Sequence, residues 1–277
     1  SSSKVLFTGY YVPILNGSLV KSDKYPYPLY TLPNDMITLN LGDFKESLKG
    51  ERIVVRVENN KIKPYYSRME IDAGAIDGRG LELLWVEDKV EIFFLQIQGS
   101  GIIRLEDGKE IYVGYAGTNG KPYKAIGEIL IKEGKISADD ISMQSIRAYL
   151  KTHPAEMDRL MNSNASYVFF TKTDSVAVGA MGQPLVGGRS IATDKEIFPQ
   201  GVLAYIDTKK PLVAKDGSIS QWQQCTRFVL NQDTGGAIKG AARVDVFWGR
   251  GAYAETAAGY MKDRGTLYFL VKKVGGS

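Results

Sequence analysis

Cysteine and histidine are scarce in this chain of 277 residues, and their scarcity argues against several kinds of site. Cys225 is the single cysteine, so the chain forms neither an internal disulfide nor a CxxC metal site. His153 is the single histidine and precedes Pro154, outside any nucleophile-elbow motif. A zinc hydrolase and a Ser-His-Asp or Cys-His catalytic centre are therefore disfavoured. We expect no metal ion and no cofactor, which leaves carboxylates as the candidate catalytic groups.

Long apolar runs and clusters of basic residues are also missing. No stretch approaches the roughly 18 apolar residues that a membrane-spanning helix needs. The net charge is +4, but lysine and arginine are dispersed among acidic residues, so no nucleic-acid partner is expected. No signal-like segment precedes residues 5–7, and we expect any export signal or lipid anchor to lie outside this sequence.

Strand patterns dominate the first 115 residues. Residues 52–57 and residues 90–97 are rich in branched and aromatic side chains, which predicts two strands. Asp107-Gly108 stands between two further apolar runs and predicts a hairpin closed by a type I′ turn.

The middle of the chain has helical spacing instead. One predicted helix follows Pro122, a second follows Ser137, and His153-Pro154 separates the second from a third. Strand patterns return from Tyr167 to the end, interrupted by one helix that carries Ala254 on its buried face. The sequence therefore predicts a mainly β protein with a helical segment in its middle.

The densest cluster of candidate site residues lies near the end of the chain. Asp233 begins a glycine-rich run, and Asp245 lies in a strand-like run that alternation predicts to share a face with Arg243 and Phe247. Aspartate is unfavourable within a strand, so its presence at this position suggests a functional role. An exposed strand face with an Arg-Asp pair remains an equal alternative. An aspartic protease is disfavoured, because that chemistry needs two Asp-Thr-Gly motifs or a short dimeric chain.

Small polar and aromatic residues in glycine-rich loops are candidates for contact with a sugar. Tyrosine rings stack well on sugars, and small residues allow a ligand to approach the backbone. Ordinary turn chemistry is the alternative interpretation. The candidate substrate-binding residues are Gln98, Gly99, Ser100, Tyr115, Tyr123 and Lys239.

Six short motifs together resemble one family, the membrane-bound lytic murein transglycosylase A (MltA) family. They occur in family order over nearly the whole chain, and the ordered set is far more specific than any one motif. The motifs are residues 7–11, 98–101, 114–120, 142–144, 167–170 and 233–249.

The resemblance implies a double-psi β-barrel of the 3D-domain type built from residues 1–30 and 163–277. A second β-rich domain with a few helices, residues 31–162, would be inserted into it, with a glycan-binding groove between the two. The family's catalytic aspartate matches Asp245, and its Asp-x-Gly-Gly motif begins at Asp233. Asp233 is expected to support catalysis as a hydrogen-bonding partner or through its charge, and a purely structural turn role is an equal alternative. Phe247-Trp248 replaces the Tyr-Gln of some members, which is expected to alter the groove wall.

The implied activity is non-hydrolytic cleavage of peptidoglycan between N-acetylmuramic acid and N-acetylglucosamine. Asp245 would act first as an acid and then as a base, and the muramoyl 6-hydroxyl would close a 1,6-anhydro ring. The resemblance further implies a periplasmic enzyme with an outer-membrane lipid anchor, with peptidoglycan and other cell-wall enzymes as partners. A hydrolytic glycosidase and a non-catalytic glycan-binding module are the alternatives.

Overall fold

The computed structural model describes residues 4–175 and 177–272. Within these residues the chain is mainly β, as predicted, with 15 strands, six α-helices and two short 3₁₀ helices. None of these helices is both long and apolar enough to span a membrane. The strands are β1 (Val5–Val12), β2 (Ile14–Ser18), β3 (Tyr27–Tyr30), β4 (Ile37–Asn40), β5 (Arg52–Glu58), β6 (Lys61–Pro64), β7 (Glu82–Val86), β8 (Ser100–Arg104), β9 (Glu110–Thr118), β10 (Val168–Thr173), β11 (Ser190–Ala192), β12 (Leu203–Val213), β13 (Ile219–Asp233), β14 (Arg243–Arg250) and β15 (Asp263–Phe269). The helices are α1 (Arg68–Asp72), α2 (Lys89–Gln98), α3 (Ile126–Lys132), α4 (Met143–Thr152), α5 (Pro154–Asn162) and α6 (Ala252–Tyr260), and the 3₁₀ helices are Leu41–Asp43 and Glu46–Leu48.

The first of two compact units is a closed β-barrel built from both ends of the chain. It comprises the chain up to Ile14, the segment Ser142–Gln144 and the chain from Ser175 onward. The strands follow the order β1-β14-β11-β13-β12-β15 around the barrel. This confirms the predicted barrel that joins the chain's beginning to its end.

Alternating residues of the barrel strands point inward and form its core. Phe7, Ile191, Val244 and Val246 are each no more than 1% exposed, and α6 packs against the same cluster through its alanines. The residues between them, at every second position, face away from this core. Because Asp245 lies between Val244 and Val246, it belongs to the outer face of the barrel.

The second unit contains Leu15–Ile141 and Ser145–Asp174. Its main sheet has six strands in the order β10-β9-β8-β2-β7-β3, and β4-β5-β6 form a separate antiparallel sheet. Leu29, Leu84, Leu95 and Phe170 are fully buried in the core that the larger sheet shares with α2.

The unit boundaries differ from the predicted breaks at residues 30/31 and 162/163. Strand β3 pairs with β7, and β10 pairs with β9, so both strands belong to the second unit. Segment Ser142–Gln144 belongs to the barrel unit, where Gln144 Nε2 donates to the carbonyl of Glu255 at 3.1 Å. Strand pairing and packing set these breaks, and no change of composition marks them.

The predicted strand at residues 90–97 is wrong, because this segment forms helix α2. Six of its ten residues are buried, so the apolar side chains point in nearly every direction and show no helical period. Asp88 caps the helix by accepting a hydrogen bond from the Val90 N–H at 2.8 Å. Gly99 ends it with a left-handed φ of 80°.

The predicted hairpin is confirmed, since β8 and β9 are antiparallel partners. Its turn type differs from the prediction. A type I′ turn needs positive φ at both central residues, but of Asp107 and Gly108 only Gly108 has one, at 83°. The strands end at Arg104 and Glu110, so the connection is longer than a two-residue turn.

Two of the predicted helix starts also differ. Helix α3 begins at Ile126, beyond Pro122, and α4 begins at Met143. Ser137 instead exchanges two hydrogen bonds with Asp140 in the preceding turn. The predicted break at His153 is confirmed, and the His153 ring stacks on Tyr149 at 4.0 Å between centroids.

Candidate active site

Two parallel strands place a threonine beside Asp245. Strand β1 pairs with β14 in a register that sets Thr8 opposite Asp245 and Tyr10 opposite Phe247. Thr8 Oγ1 donates to Asp245 Oδ1 at 2.7 Å. No described residue donates a hydrogen bond to the other carboxylate oxygen, Oδ2.

Strand β11 sets the spacing between the two aspartates. Ala192 is paired with Asp233 on one side and with Asp245 on the other. The two aspartates thus lie two strand spacings apart at the same level, with their Cα atoms separated by roughly 10 Å. The structure therefore brings the two predicted catalytic residues to one region of the barrel.

Tyr10 contacts Asp233 and packs against the strand that carries Asp245. Its hydroxyl donates to Asp233 Oδ2 at 2.8 Å, and its ring packs on Phe247 with centroids 5.1 Å apart. Burial is the main reason that the pKa of Tyr10 is well above its usual value, and the negative charges of Asp233 and Asp245 add to this effect. Tyr10 is accordingly a neutral hydrogen-bond donor.

The pKa of Asp245 is raised from 3.8 to about 6, mainly because burial disfavours the carboxylate. The negative charge of Asp233 acts in the same direction. The hydrogen bond from Thr8 and the positive charge of Arg243 oppose the shift. A carboxyl group with this pKa is present in both protonation states near neutral pH, as general acid and base catalysis requires.

Asp233 has a different environment, because three donors occupy its carboxylate. The backbone N–H groups of Ala180 and Thr234 donate to Oδ1 at 3.0 and 2.9 Å, and Tyr10 donates to Oδ2. Burial raises its pKa, while these hydrogen bonds lower it. With both oxygens engaged, Asp233 is suited to hold Tyr10 and to act electrostatically on Asp245.

Lys239 lies in the loop between β13 and β14. Its Nζ is 3.7 Å from Asp194 Oδ1, and its side chain is 60% exposed. Gly240 N–H also donates to Asp194, at 2.8 Å, which fastens the loop. The structure places Lys239 on the same unit as Asp245, paired with Asp194.

The remaining predicted substrate-binding residues belong to the second unit. Gln98 is the last residue of α2, Gly99 is its C-cap, and Ser100 begins β8 and pairs with Gly114. Tyr115 follows Gly114 in β9, so this register brings residues 98–100 beside Tyr115. Tyr115 is 58% exposed and Tyr123, which precedes α3, is 40% exposed. Both side chains are therefore partly accessible to solvent.

Thr8 and Tyr10 received no individual role from the sequence. Their only sequence signal is the motif at residues 7–11, which is informative only as part of the family pattern. Asn119, from another such motif, turns out to be structural: its side-chain amide donates to the carbonyls of Tyr66 and Ala165 and accepts from the Tyr167 N–H. Across residues 4–175 and 177–272 no group of His, Cys, Asp and Glu side chains is arranged to hold a metal ion.

Comparison with known proteins identifies the family. The model described as the MltA specific insert domain matches residues 6–171, and the 3D domain model matches residues 189–271. The chain belongs to the MltA family. It is 33% identical over 269 residues to membrane-bound lytic murein transglycosylase A of Escherichia coli K12, and 33% identical over 271 residues to that of Vibrio cholerae. Each alignment covers 96% of this chain and 65% of the relative, so the chain spans about two thirds of the length of these MltA proteins.

Solved MltA structures are similar over the same range. A membrane-bound lytic murein transglycosylase from Agrobacterium tumefaciens has a TM-score of 0.85 and 31% identity, covering 96% of this chain and 73% of that one. Escherichia coli MltA with bound chitohexaose has a TM-score of 0.75 and 31% identity, covering 96% and 72%. The MltA family assignment made from the motifs is thus confirmed by sequence and by fold.

Proposed function

We propose that the chain is a lytic transglycosylase that cleaves the β-1,4 bond between N-acetylmuramic acid and N-acetylglucosamine in peptidoglycan. The observation that carries the proposal is the contrast between two neighbouring carboxyl groups. Asp245 has an open oxygen and a pKa near 6, whereas three donors occupy Asp233. One proton-exchanging carboxyl group is what this reaction needs. The names of the MltA relatives and the chitohexaose bound to one of them support the substrate class.

The reaction proceeds in two proton transfers at Asp245. The protonated carboxyl group gives its proton to the glycosidic oxygen as the bond from that oxygen to the anomeric carbon breaks. The resulting carboxylate then accepts the proton of the muramoyl 6-hydroxyl as its oxygen bonds to the anomeric carbon. The products are a free N-acetylglucosamine 4-hydroxyl and a 1,6-anhydromuramoyl end, and no water is consumed.

Replacing Asp245 by asparagine tests the assignment. Asn keeps the size of the side chain and can still accept a hydrogen bond from Thr8, but it transfers no proton. Since acid and base catalysis are each worth about 10²–10⁴ in rate, Asp245→Asn should leave almost no release of anhydromuropeptides from sacculi. Asp139→Asn, at an exposed position with no resolved role, is the matched control and should retain full activity. A variant at position 245 with more than about a tenth of the wild-type rate would contradict the assignment.

A hydrolytic glycosidase is the second candidate, favoured by the presence of two carboxylates flanking one strand. An inverting hydrolase keeps its carboxylates about 6.5–9.5 Å apart, with one of them activating water. The three donors on Asp233 count against that role. Digestion in ¹⁸O-labelled water separates the two candidates by mass spectrometry. Transglycosylation gives an unlabelled anhydro end, and a labelled reducing end would establish hydrolysis.

We further infer that Gln98, Gly99, Ser100, Tyr115, Tyr123 and Lys239 bind the glycan. The two exposed tyrosine rings support this, because an aromatic face stacks on a sugar ring. Tyr123→Ala should weaken binding of chitohexaose about fivefold or more, with unfolding unchanged. Tyr268→Ala, at an exposed tyrosine of β15 outside these loops, is the control. Equal affinities of both variants and the wild type would leave the loops with a structural role only.

The relatives' names contain the words membrane-bound, and this supports a location at the cell envelope. We propose a periplasmic enzyme attached to the outer membrane. Association with other cell-wall enzymes remains an expectation from the family resemblance.

A further inference from the structure

The second unit contains a pocket that the catalytic chemistry does not use. It has a volume of about 300 Å³, at the lower end of the range for small-molecule sites. Strands β3 and β7 and helices α1 and α2 contribute its walls, and six of the residues that line it matter here. They are Lys21, Tyr27, Arg68, Asp77, Glu82 and Trp85.

Arg68 is a buried cation with no carboxylate in direct contact, although the negative charge of Asp72, one turn further along α1, favours its charged form. It is 3% exposed, and its guanidinium donates only to backbone carbonyls, from Nε to Asn164 at 3.0 Å and from Nη2 to Ser166 at 2.7 Å. Phe93 and Tyr167 cover the guanidinium, with centroids 4.8 and 5.2 Å away. No described carboxylate lies within 4.0 Å of the guanidinium, and its described hydrogen bonds come from Nε and Nη2. A buried guanidinium that lines a pocket and lacks a direct ion pair is a candidate partner for a ligand carboxylate.

Two of the three acids that line the pocket have no ion pair. Neither Asp77 nor Glu82 has a described basic group within 4.0 Å, although Tyr30 donates a hydrogen bond to Asp77. Asp72 and Lys89, which also line the pocket, do pair with each other at 3.4 Å. The pocket therefore holds opposite charges that are kept apart from one another, together with one internal pair.

Aromatic groups complete the lining. Trp85 and Tyr27 belong to paired neighbouring strands, and Lys21 Nζ lies 5.1 Å from the Trp85 ring centroid. Such rings suit the methylene groups of a ligand whose two ends are charged.

We propose that this pocket binds a zwitterionic amino-acid head group, with its carboxylate on Arg68 and its ammonium on Asp77 and Glu82. In peptidoglycan that chemistry is presented by the free end of a diamino acid in the peptide stem, such as diaminopimelate. The stem as the source of the ligand rests on the proposed function, whereas the zwitterion chemistry rests on the pocket alone. The pocket thus selects glycan strands that bear a peptide with an uncrosslinked diamino acid.

Calorimetric titration of the whole chain tests the proposal without any turnover. The probes are the free tripeptide Ala–γ-Glu–diaminopimelate, the same tripeptide acetylated on its free ammonium, and diaminopimelate alone. We expect the tripeptide to bind and acetylation to weaken binding about tenfold or more, because the ammonium loses its charge. Absence of tripeptide binding, or equal binding of the acetylated form, would overturn the proposal. Equal binding of free diaminopimelate would overturn the stem as the source.

Variants assign the binding to this pocket. Glu82→Gln and Asp77→Asn should each weaken tripeptide binding about tenfold, while Glu128→Gln, at an exposed position outside the pocket, should not. Unchanged binding by both pocket variants would refute the site. Arg68 is left unchanged in this test, because replacing a buried residue could destabilise the fold. Binding without glycan cleavage would contradict the proposed activity alone, and cleavage without peptide binding would contradict this inference alone.

Discussion

Burial and three neighbouring residues act on the pKa of Asp245 in opposing directions, and each neighbour acts through one identifiable hydrogen bond or charge. Burial and Asp233 raise the pKa of Asp245, whereas Thr8 and Arg243 lower it. The balance leaves a carboxyl group whose pKa is near 6. Removing one neighbour at a time should therefore move the pKa in a direction fixed by the sign of that neighbour's effect.

The pH dependence of kcat/KM should show these opposite displacements. Because the free enzyme must carry a protonated Asp245, the wild-type kcat/KM should fall about tenfold per pH unit above about pH 6. Thr8→Val removes a hydrogen bond that favours the carboxylate, so the falling limb should move to higher pH. Asp233→Asn removes a negative charge, so the limb should move to lower pH, with a smaller loss of rate than Asp245→Asn.

Each of the two variants is the control for the other. Both change a group close to Asp245, but they should move the falling limb of the pH profile in opposite directions. Soluble chito-oligosaccharides or isolated glycan strands, assayed from pH 4 to pH 9, suffice for the measurement. Movement of both limbs in the same direction would contradict the assignment of the limb to Asp245.

At this scale the sequence identified the carboxylates but not their partners. Asp245 and Asp233 were found because acids in a strand and in a glycine-rich turn are conspicuous, and because the family motif matches them. Thr8 and Tyr10 lie more than 220 residues away in the chain, and only the parallel pairing of β1 with β14 brings them to the aspartates. A sequence pattern does not contain that register.

At the scale of elements, strand β1 depends on a close approach to helix α6. A Cβ atom on Gly9 would lie 2.7 Å from Trp248 Cδ1 and 2.8 Å from Ala258 Cα. The missing side chain at position 9 lets β1 lie against the helix, and the neighbouring residues Thr8 and Tyr10 take their places in the site from that strand.

Gly9→Ala should therefore destabilise the fold by about 1–3 kcal/mol, because the added methyl group overlaps backbone and ring atoms that are packed in the core. Gly236→Ala is the control, since a Cβ there meets nothing within 4 Å and the residue has no positive φ. Urea unfolding measures both free energies of unfolding. Equal midpoints for the two variants would show that the contact with α6 relaxes without cost.

Helix α2 shows why one element was assigned to the wrong class. Its sequence is apolar on almost every side, and a buried helix of that kind resembles a buried strand. The capping residues Asp88 and Gly99 carried the missing information, because an N-cap acid and a C-terminal glycine bracket a helix. In contrast, Ala254, Ala257 and Ala258 of α6 have regular helical spacing, and that helix was predicted from it.

At the scale of the whole molecule, the chain builds its barrel from residues that are far apart in sequence. The short segment Ser142–Gln144 belongs to the barrel unit although the chain on both sides of it belongs to the other unit. No change of composition marks these crossings, and at two of them a regular element follows within two residues, since β2 begins at Ile14 and α4 at Met143. Composition therefore could not reveal the boundaries, whereas the ordered family motifs revealed the general architecture.

The barrel's stability should depend on pH through Asp245. The pKa of this carboxyl group is raised from 3.8 to about 6, so its ionised form is less stable in the folded than in the unfolded protein. The cost is absent below about pH 3.8, grows as the pH rises to about 6, and is complete above that pH. The size of the pKa shift limits this cost to at most about 3 kcal/mol of the free energy of unfolding. Solvent screening of the partly exposed side chain makes the cost smaller.

Asp245→Asn should remove this cost, so the variant should be more stable than the wild type at pH 8 by about 1–3 kcal/mol. The gain should shrink as the pH falls and disappear near pH 4, because the wild-type carboxyl group is then protonated. Urea unfolding of both proteins at pH 4, 6 and 8 gives the difference, and Asp139→Asn should show none at any pH. A difference at position 245 that is the same at all three pH values would mean that burial does not raise the pKa of this group. In that case burial could not explain how Asp245 donates a proton near neutral pH, and the proposed catalytic role would lose its physical basis.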